Sequence, residues 1–329
     1  MVFLLSCAKV LPAQTQLHLG TVCSINLYED GTQQLYRQMF EELSRIENIF
    51  SVNLPDSDIS RINNAAGIES VKVSPELVLV LEQACKIAQE SGGAFDPTIG
   101  PLVELWNIGG ENPRVPSHKE IEELLPLVNF NLVKIDATKK TVFLSQKGMS
   151  LDLGGIAKGF AADCLVKIAK EHGVKSALFD LGGNVYAYGT KADGTLWRVG
   201  IKNPLDPAKN PVLRLDVKDK TVVTSGMYER FFEQDGNRYH HILNAKTGFP
   251  ARNNLLSVTI VAENSMIADA LSTAAFILGT EQGLEIIAYN NAQGVFILDD
   301  KSILATPILE KDILILSEEF TKHSAKNDN

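Results

Sequence analysis

The chain has 329 residues, 45% of them hydrophobic, enough to bury a sizeable core in one large domain or two. Lys+Arg 31 against Asp+Glu 40 gives a net charge of −9 with both signs spread along the chain, which excludes nucleic acid as a partner and requires any bound phosphate to be held locally. The four cysteines, Cys7, Cys23, Cys85 and Cys164, form no C-x-x-C pair, which argues against a zinc site and gives no disulfide framework.

At the N-terminus, Leu4-Leu5-Ser6-Cys7 resembles a bacterial lipobox with Cys7 as the lipidated residue. The apolar run before it is short and has no basic flank, so residues 1–16 read either as a truncated signal remnant and tether or as an ordinary N-terminus. No other segment approaches the roughly 18 uncharged residues that span a bilayer. Any membrane association would therefore run through a lipid on Cys7.

Residues 17–28 are predicted as a strand and 32–49 as a helix, whose apolar Leu35, Met39, Leu43, Ile46 and Ile49 recur at spacings of three and four. Ser74 as cap and Pro75 in the first turn start a second helix, which runs to about Ser91-Gly92-Gly93. Cys85 in that helix and Cys164 in a later one are predicted core. The Pro, Asn and Ser of 111–119 mark a surface loop. Strands at 132–135 and 141–144 precede a helix at 156–172, and further strands follow at 177–180, 184–188, 196–201, 212–216 and 221–224. Beyond Ala251 come a strand at 256–262, helices at 265–278 and 281–289, and paired strands at 294–298 and 302–306; residues 321–329 read as a polar, disordered tail. Strands that occur in groups as well as between helices imply an α+β fold, with mixed, largely antiparallel sheets and flanking helices in a single unit with two lobes over 17–320.

Several segments are too polar or too rich in glycine for scaffolding alone. Asp269 and Thr273 lie four residues apart and share a helix face, so they offer two oxygens to a hard cation such as Mg²⁺; the plainer reading is a solvated carboxylate and a hydroxyl bonded back to its own helix. In Leu151–Phe160 a strand enters Gly154-Gly155 and then a helix bearing Lys158, a candidate cradle for a diphosphate. The spacing fits neither a Walker A loop nor a Rossmann fingerprint, and by itself a double glycine is more often a tight turn. Gly182-Gly183 closes another strand. His240 and His241 are adjacent on a strand and point to opposite faces, so at most one of them faces a site, where an imidazole can take a proton from an attacking hydroxyl.

Taken in order, Leu19-Gly20-Thr21, Phe50 through Asn63, Gly93–Leu102, Asp152–Lys158, Thr224-Ser225-Gly226, His241-Ile242 with Thr247-Gly248, and Ala268–Thr273 resemble the ApbE family of FAD:protein FMN transferases, from about Leu19 to about Phe296. The resemblance implies a single α+β unit that binds FAD with Mg²⁺, transfers the FMN half to a threonine of an acceptor flavoprotein and releases AMP. It implies metal ligands at Asp269, Thr273 and the Gly155 carbonyl, and flavin nucleotide contacts at Leu19, Asn53, Ala94, Phe95, Asp96, Asp152, Lys158 and Ile242. His241 becomes the base that activates the threonine. The acceptor class it implies is membrane redox-pump subunits or other extracytoplasmic flavoproteins with a short threonine-containing motif; with Cys7 it implies a periplasmic protein, lipid-anchored to the inner membrane.

Two positions depart from the family pattern. Asn53 stands where many relatives carry an aromatic side chain that stacks on the flavin, which implies looser retention and FAD pyrophosphatase activity (FAD to FMN and AMP) beside transfer. Asn244 stands where relatives commonly have Asp, which removes a charge near the site. Two other classes use the same pocket: a non-catalytic periplasmic flavin-binding protein, and a Mg²⁺-dependent phosphohydrolase with no preference for FAD.

Overall fold

The structure, a computed structural model, describes residues 11–28 and 31–323. Cys7 and the tail beyond His323 lie outside the described residues. Nine strands form the central sheet, and their order across it follows their order in the chain: Gln14–His18, Thr21–Leu27, Ser176–Leu181, Asn184–Gly189, Lys220–Gly226, Leu255–Ala262, Gln293–Leu298, Ser302–Ala305 and Thr321–Lys322. Every neighbouring pair is antiparallel except the last. This is the mixed α+β, largely antiparallel fold that the grouped strands imply.

Side-chain alternation explains why the sheet is covered on both faces. Phe179, Leu181, Tyr186, Val223, Val258, Ile260, Phe296 and Leu304 point to one core, while Ala187, Val222, Val261, Val295, Ile297 and Ile303 point to another. Over the first face lie the helices Gln33–Phe50, Pro75–Glu90, Ala157–Glu171, Ser265–Leu278 and Thr280–Tyr289. Over the second lies a three-stranded sheet of Trp197–Ile201, Leu213–Val217 and Ile313–Ile315. The two hydrophobic cores thus lie on opposite sides of one sheet. Cys85 and Cys164 pack against the helical core, and Cys23 is buried within it.

Some elements differ from expectation. The 17–28 strand is two strands, because Leu19 and Gly20, at φ 53° and 67°, make a two-residue reversal between them. The 111–119 loop overlaps by two residues a helix, His118–Leu124, whose capping box joins Ser117 and Glu120. Thr321–Lys322, expected in the tail, pairs in parallel with Ser302 and Ile303.

The site depends on how the helix Ser265–Leu278 is seated. It packs on the strands Lys220–Gly226 and Leu255–Ala262 and crosses the start of Ala157–Glu171. Both oxygens of Asp163 accept N–H bonds at 2.9 Å from Ser265 and Met266, and the Asn264 side chain accepts from Ile267, so the helix's free amides are satisfied. Burial pushes the Asp163 carboxyl up to about 6. The two helices approach so closely at Gly159 that an added Cβ would run into the Ser265 carbonyl oxygen. Gly159→Ala is expected to cost about 1–3 kcal/mol through forced separation of the two helices, read as a lower urea midpoint.

Candidate active site

A cavity of about 940 Å³ opens between the helical layer, the sheet and the loops at one end of it, near the top of the roughly 300–1,000 Å³ typical of ligand sites. All twelve residues singled out from the sequence lie on its wall: Leu19, Asn53, Ala94, Phe95, Asp96, Asp152, Gly155, Lys158, His241, Ile242, Asp269 and Thr273. They come from six separate segments, which makes a chance grouping hard to sustain.

Asp269 is 4% exposed, and the Gly159 N–H donates to its Oδ2 at 2.9 Å. Lys158 Nζ lies 3.7 Å from Asp269 Oδ1 and donates to the Gly154 carbonyl oxygen at 3.0 Å. Asp152 Oδ1 accepts the Gly154 N–H at 2.7 Å and fixes the bend. A Cβ built on Gly155 would stand 3.3 Å from both Thr273 Oγ1 and the Phe95 ring, so the bend and the helix meet only because residue 155 has no side chain.

The oxygens gathered here suit a divalent ion of the hard class. One carboxylate and one hydroxyl of the same helix stand beside the glycine bend, and the Lys158 ammonium lies against both the carboxylate and the Gly154 carbonyl oxygen. Among the described residues no group of three or more His, Cys, Asp or Glu is placed to hold a metal. A site with a single carboxylate relies on water and substrate phosphates to complete its shell, the habit of Mg²⁺.

The two histidines divide as adjacent strand residues should. His240 is buried, its Nε2 donates to the Ala251 carbonyl oxygen at 2.9 Å, and its ring meets Phe276 edge-on at 5.6 Å. His241 faces the cavity, enclosed by protein on its sides and reached by solvent through the mouth. Its Nδ1 lies 3.2 Å from the Arg230 carbonyl oxygen, which can only accept; Nδ1 therefore carries the proton and Nε2 keeps a lone pair. Enclosure, with the Arg230 charge as a smaller cause, lowers the imidazole to about 3, so it is neutral at physiological pH. Behind it, the hairpin Phe231–Gln234 with Asn237–His240 rests on Trp106 through Tyr239, at 5.6 Å between rings, and Trp106 Nε1 donates to the Gly248 carbonyl oxygen at 2.7 Å.

Asp96 is on the wall, but its carboxylate is taken up internally. Oδ1 accepts from the Thr98 N–H and hydroxyl at 2.8 and 2.6 Å, and Oδ2 from the Phe130 N–H at 3.1 Å. Burial raises its pKa against those bonds. Asn244 is absent from the cavity wall among the described residues; its Oδ1 accepts the Lys246 N–H at 2.9 Å, a turn bond an amide oxygen makes as an Asp would. Sequence reasoning passed over Lys202 and gave no role to Glu229 and Arg230, which together bring two cations and a carboxylate to the wall. Lys202 falls one residue beyond a predicted strand, and only that register could have pointed to it.

The family model described as "ApbE family" matches residues 19–297. The FAD:protein FMN transferase of Treponema pallidum (strain Nichols) is 39% identical over 326 residues, covering 94% of this chain and 90% of that protein. One from Klebsiella pneumoniae (strain 342) is 36% identical, covering 87% and 89%. Among solved structures, the ApbE protein of Thermotoga maritima superposes with a TM-score of 0.83 at 34% identity, covering 91% of this chain and 98% of that one. The flavin transferase ApbE of Vibrio cholerae gives 0.82 at 26%, again covering 91% and 98%. With a family match across most of its length and relatives this similar over nearly all of it, the chain belongs to the ApbE family.

Proposed function

We propose that this chain is a Mg²⁺-dependent FAD:protein FMN transferase, moving FMN from FAD to a threonine of an acceptor flavoprotein and releasing AMP. The observation that carries the reading is the meeting of Asp269, Thr273, the Gly154–Gly155 bend and Lys158 in one cavity with a neutral His241. Asp269, Thr273 and the Gly155 carbonyl would hold Mg²⁺, which supplies charge neutralisation at the diphosphate. Lys158 draws a diphosphate oxygen toward the bend by its charge. His241 Nε2 takes the proton of the acceptor hydroxyl as that oxygen bonds to the FMN phosphorus; the anhydride P–O bond breaks and AMP leaves with the bridging oxygen. Leu19, Ala94, Phe95, Asp152 and Ile242 would line the flavin nucleotide, and the turn held by the Asp96 carboxylate would present Phe95. Incubation with FAD, Mg²⁺ and an acceptor carrying the threonine motif, followed by mass spectrometry, should give an FMN-sized adduct on threonine. An acceptor left unmodified while FAD stays intact would favour the non-catalytic flavin-binding alternative.

Asn53 supports a second activity at the same site. It lies on the wall and offers no ring face to the flavin, so FAD is held loosely and water competes with threonine, hydrolysing FAD to FMN and AMP. Restoring the ring by Asn53→Tyr should tighten FAD about fivefold, from aromatic contacts worth about 1 kcal/mol, and slow AMP release measured without acceptor. Unchanged release would remove Asn53 as its cause. A periplasmic location with a lipid on Cys7 completes the reading and is tested by metabolic labelling with palmitate, which Cys7→Ser should abolish.

A further inference from the structure

A chain of hydroxyls leads from the sheet to the wall of the cavity. Ser272 Oγ lies 2.8 Å from the Asp269 carbonyl oxygen, which can only accept, so Ser272 uses its proton there. Ser225 Oγ lies 2.8 Å from Ser272 Oγ and must then be the donor of that pair. With its proton committed, Ser225 turns only lone-pair density toward Thr273 Oγ1, 3.5 Å away. Facing lone pairs repel, so the Thr273 hydrogen settles on the Ser225 side and the hydroxyl's own lone pairs are left for the Gly154–Gly155 bend, where a Cβ added at residue 155 would stand 3.3 Å from Thr273 Oγ1.

We propose that Ser225 is a positioning residue: through Ser272 and Thr273 it fixes the direction of one proton, so that Thr273 presents an acceptor to a divalent cation. The inference rests on the divalent site argued above and adds to it a residue that does not touch the ion. The three oxygens belong to two elements, the strand Lys220–Gly226 and the helix Ser265–Leu278, so the device is built from tertiary packing and has no signature in either segment alone.

Mn²⁺ titrated into the full chain, followed by loss of the free-ion electron paramagnetic resonance signal, is the test. Ser225→Ala should weaken Mn²⁺ about fivefold, the worth of one modest hydrogen bond, while Ser225→Thr stays within about twofold of the parent because it keeps the hydroxyl. Ser272→Ala should also weaken it, since Ser225 is then free to donate to Thr273 and occupy the lone pair. In turnover, Ser225→Ala should raise the KM for Mg²⁺ and leave kcat at saturating metal near the parent value, a split that a general packing defect does not produce. Equal Mn²⁺ affinity for the parent and Ser225→Ala, or a Thr variant as weak as the Ala variant, overturns the proposal. A parent that takes up no Mn²⁺ with or without FAD overturns it too, and in that case the divalent-site reading falls with it.

Discussion

Asp269→Asn is expected to lower FMN transfer from FAD by about 10³-fold or more, the scale of removing a preorganised charge from a reacting phosphate or oxyanion site, with the fold intact. The asparagine keeps an oxygen that can accept the Gly159 N–H, the bond that joins the two crossing helices at 2.9 Å. Only the charge is lost, and with it the attraction that holds Lys158 Nζ at 3.7 Å. Asp269→Ala is a poorer probe, because it also strands a buried N–H at a cost of about 1–3 kcal/mol. Single-turnover transfer at saturating Mg²⁺ beside a urea titration separates the two effects. Near-parent transfer by the Asn variant would take the carboxylate out of the metal half-site.

His241→Ala is expected to slow transfer to threonine by about 10²–10⁴-fold, the usual worth of a positioned general base, with little change in FAD affinity. Because the imidazole is held down to about 3, its acceptor lone pair persists well below pH 6.5, and the acid limb of the rate profile should not fall at the pKa of a free histidine. The stability effect has a definite sign. Between about 6.5 and 3 the unfolded chain binds a proton at this position and the folded chain does not, so this contribution is fully present above the upper value and drains away as the pH falls. The melting temperature of His241→Ala should therefore vary less across that acid range than the parent's. An equal pH dependence for the two would show that the imidazole is not shielded.

Much of the fold was readable because its signals are local. Helices such as Gln33–Phe50 declare themselves by apolar spacing, and the grouped strands by alternation. Short elements that depend on turn chemistry were harder. The hairpin behind His241 turns on Asp235-Gly236, at φ 52° and 74°, a dipeptide signal that was present but sits among exposed polar residues. The helix Asp58–Asn64 is seven residues long and is held by the Ser57 cap, too brief for periodicity to register. Leu19 at positive φ could not be anticipated, since a bulky side chain there is imposed by the hairpin and not preferred by the residue. At the site, the residue types and their order were legible, whereas the separate task of Asp96 was not. Two of its three bonds come from Thr98 close by, but the third comes from the Phe130 N–H, 34 residues away.

The sheet runs in chain order, and the cavity draws on its first strands together with a helix much later in the chain, from Leu19 to Ile277. During synthesis, a nascent polypeptide that has emerged only to residue 250 owns the glycine bend and the imidazole but lacks the helix that carries Asp269 and Thr273. Dinucleotide capture is thus an all-or-nothing event late in maturation. Once it occurs, the ligand pins the helix Ser265–Leu278 to the first hairpin and raises the free energy needed to reopen the molecule.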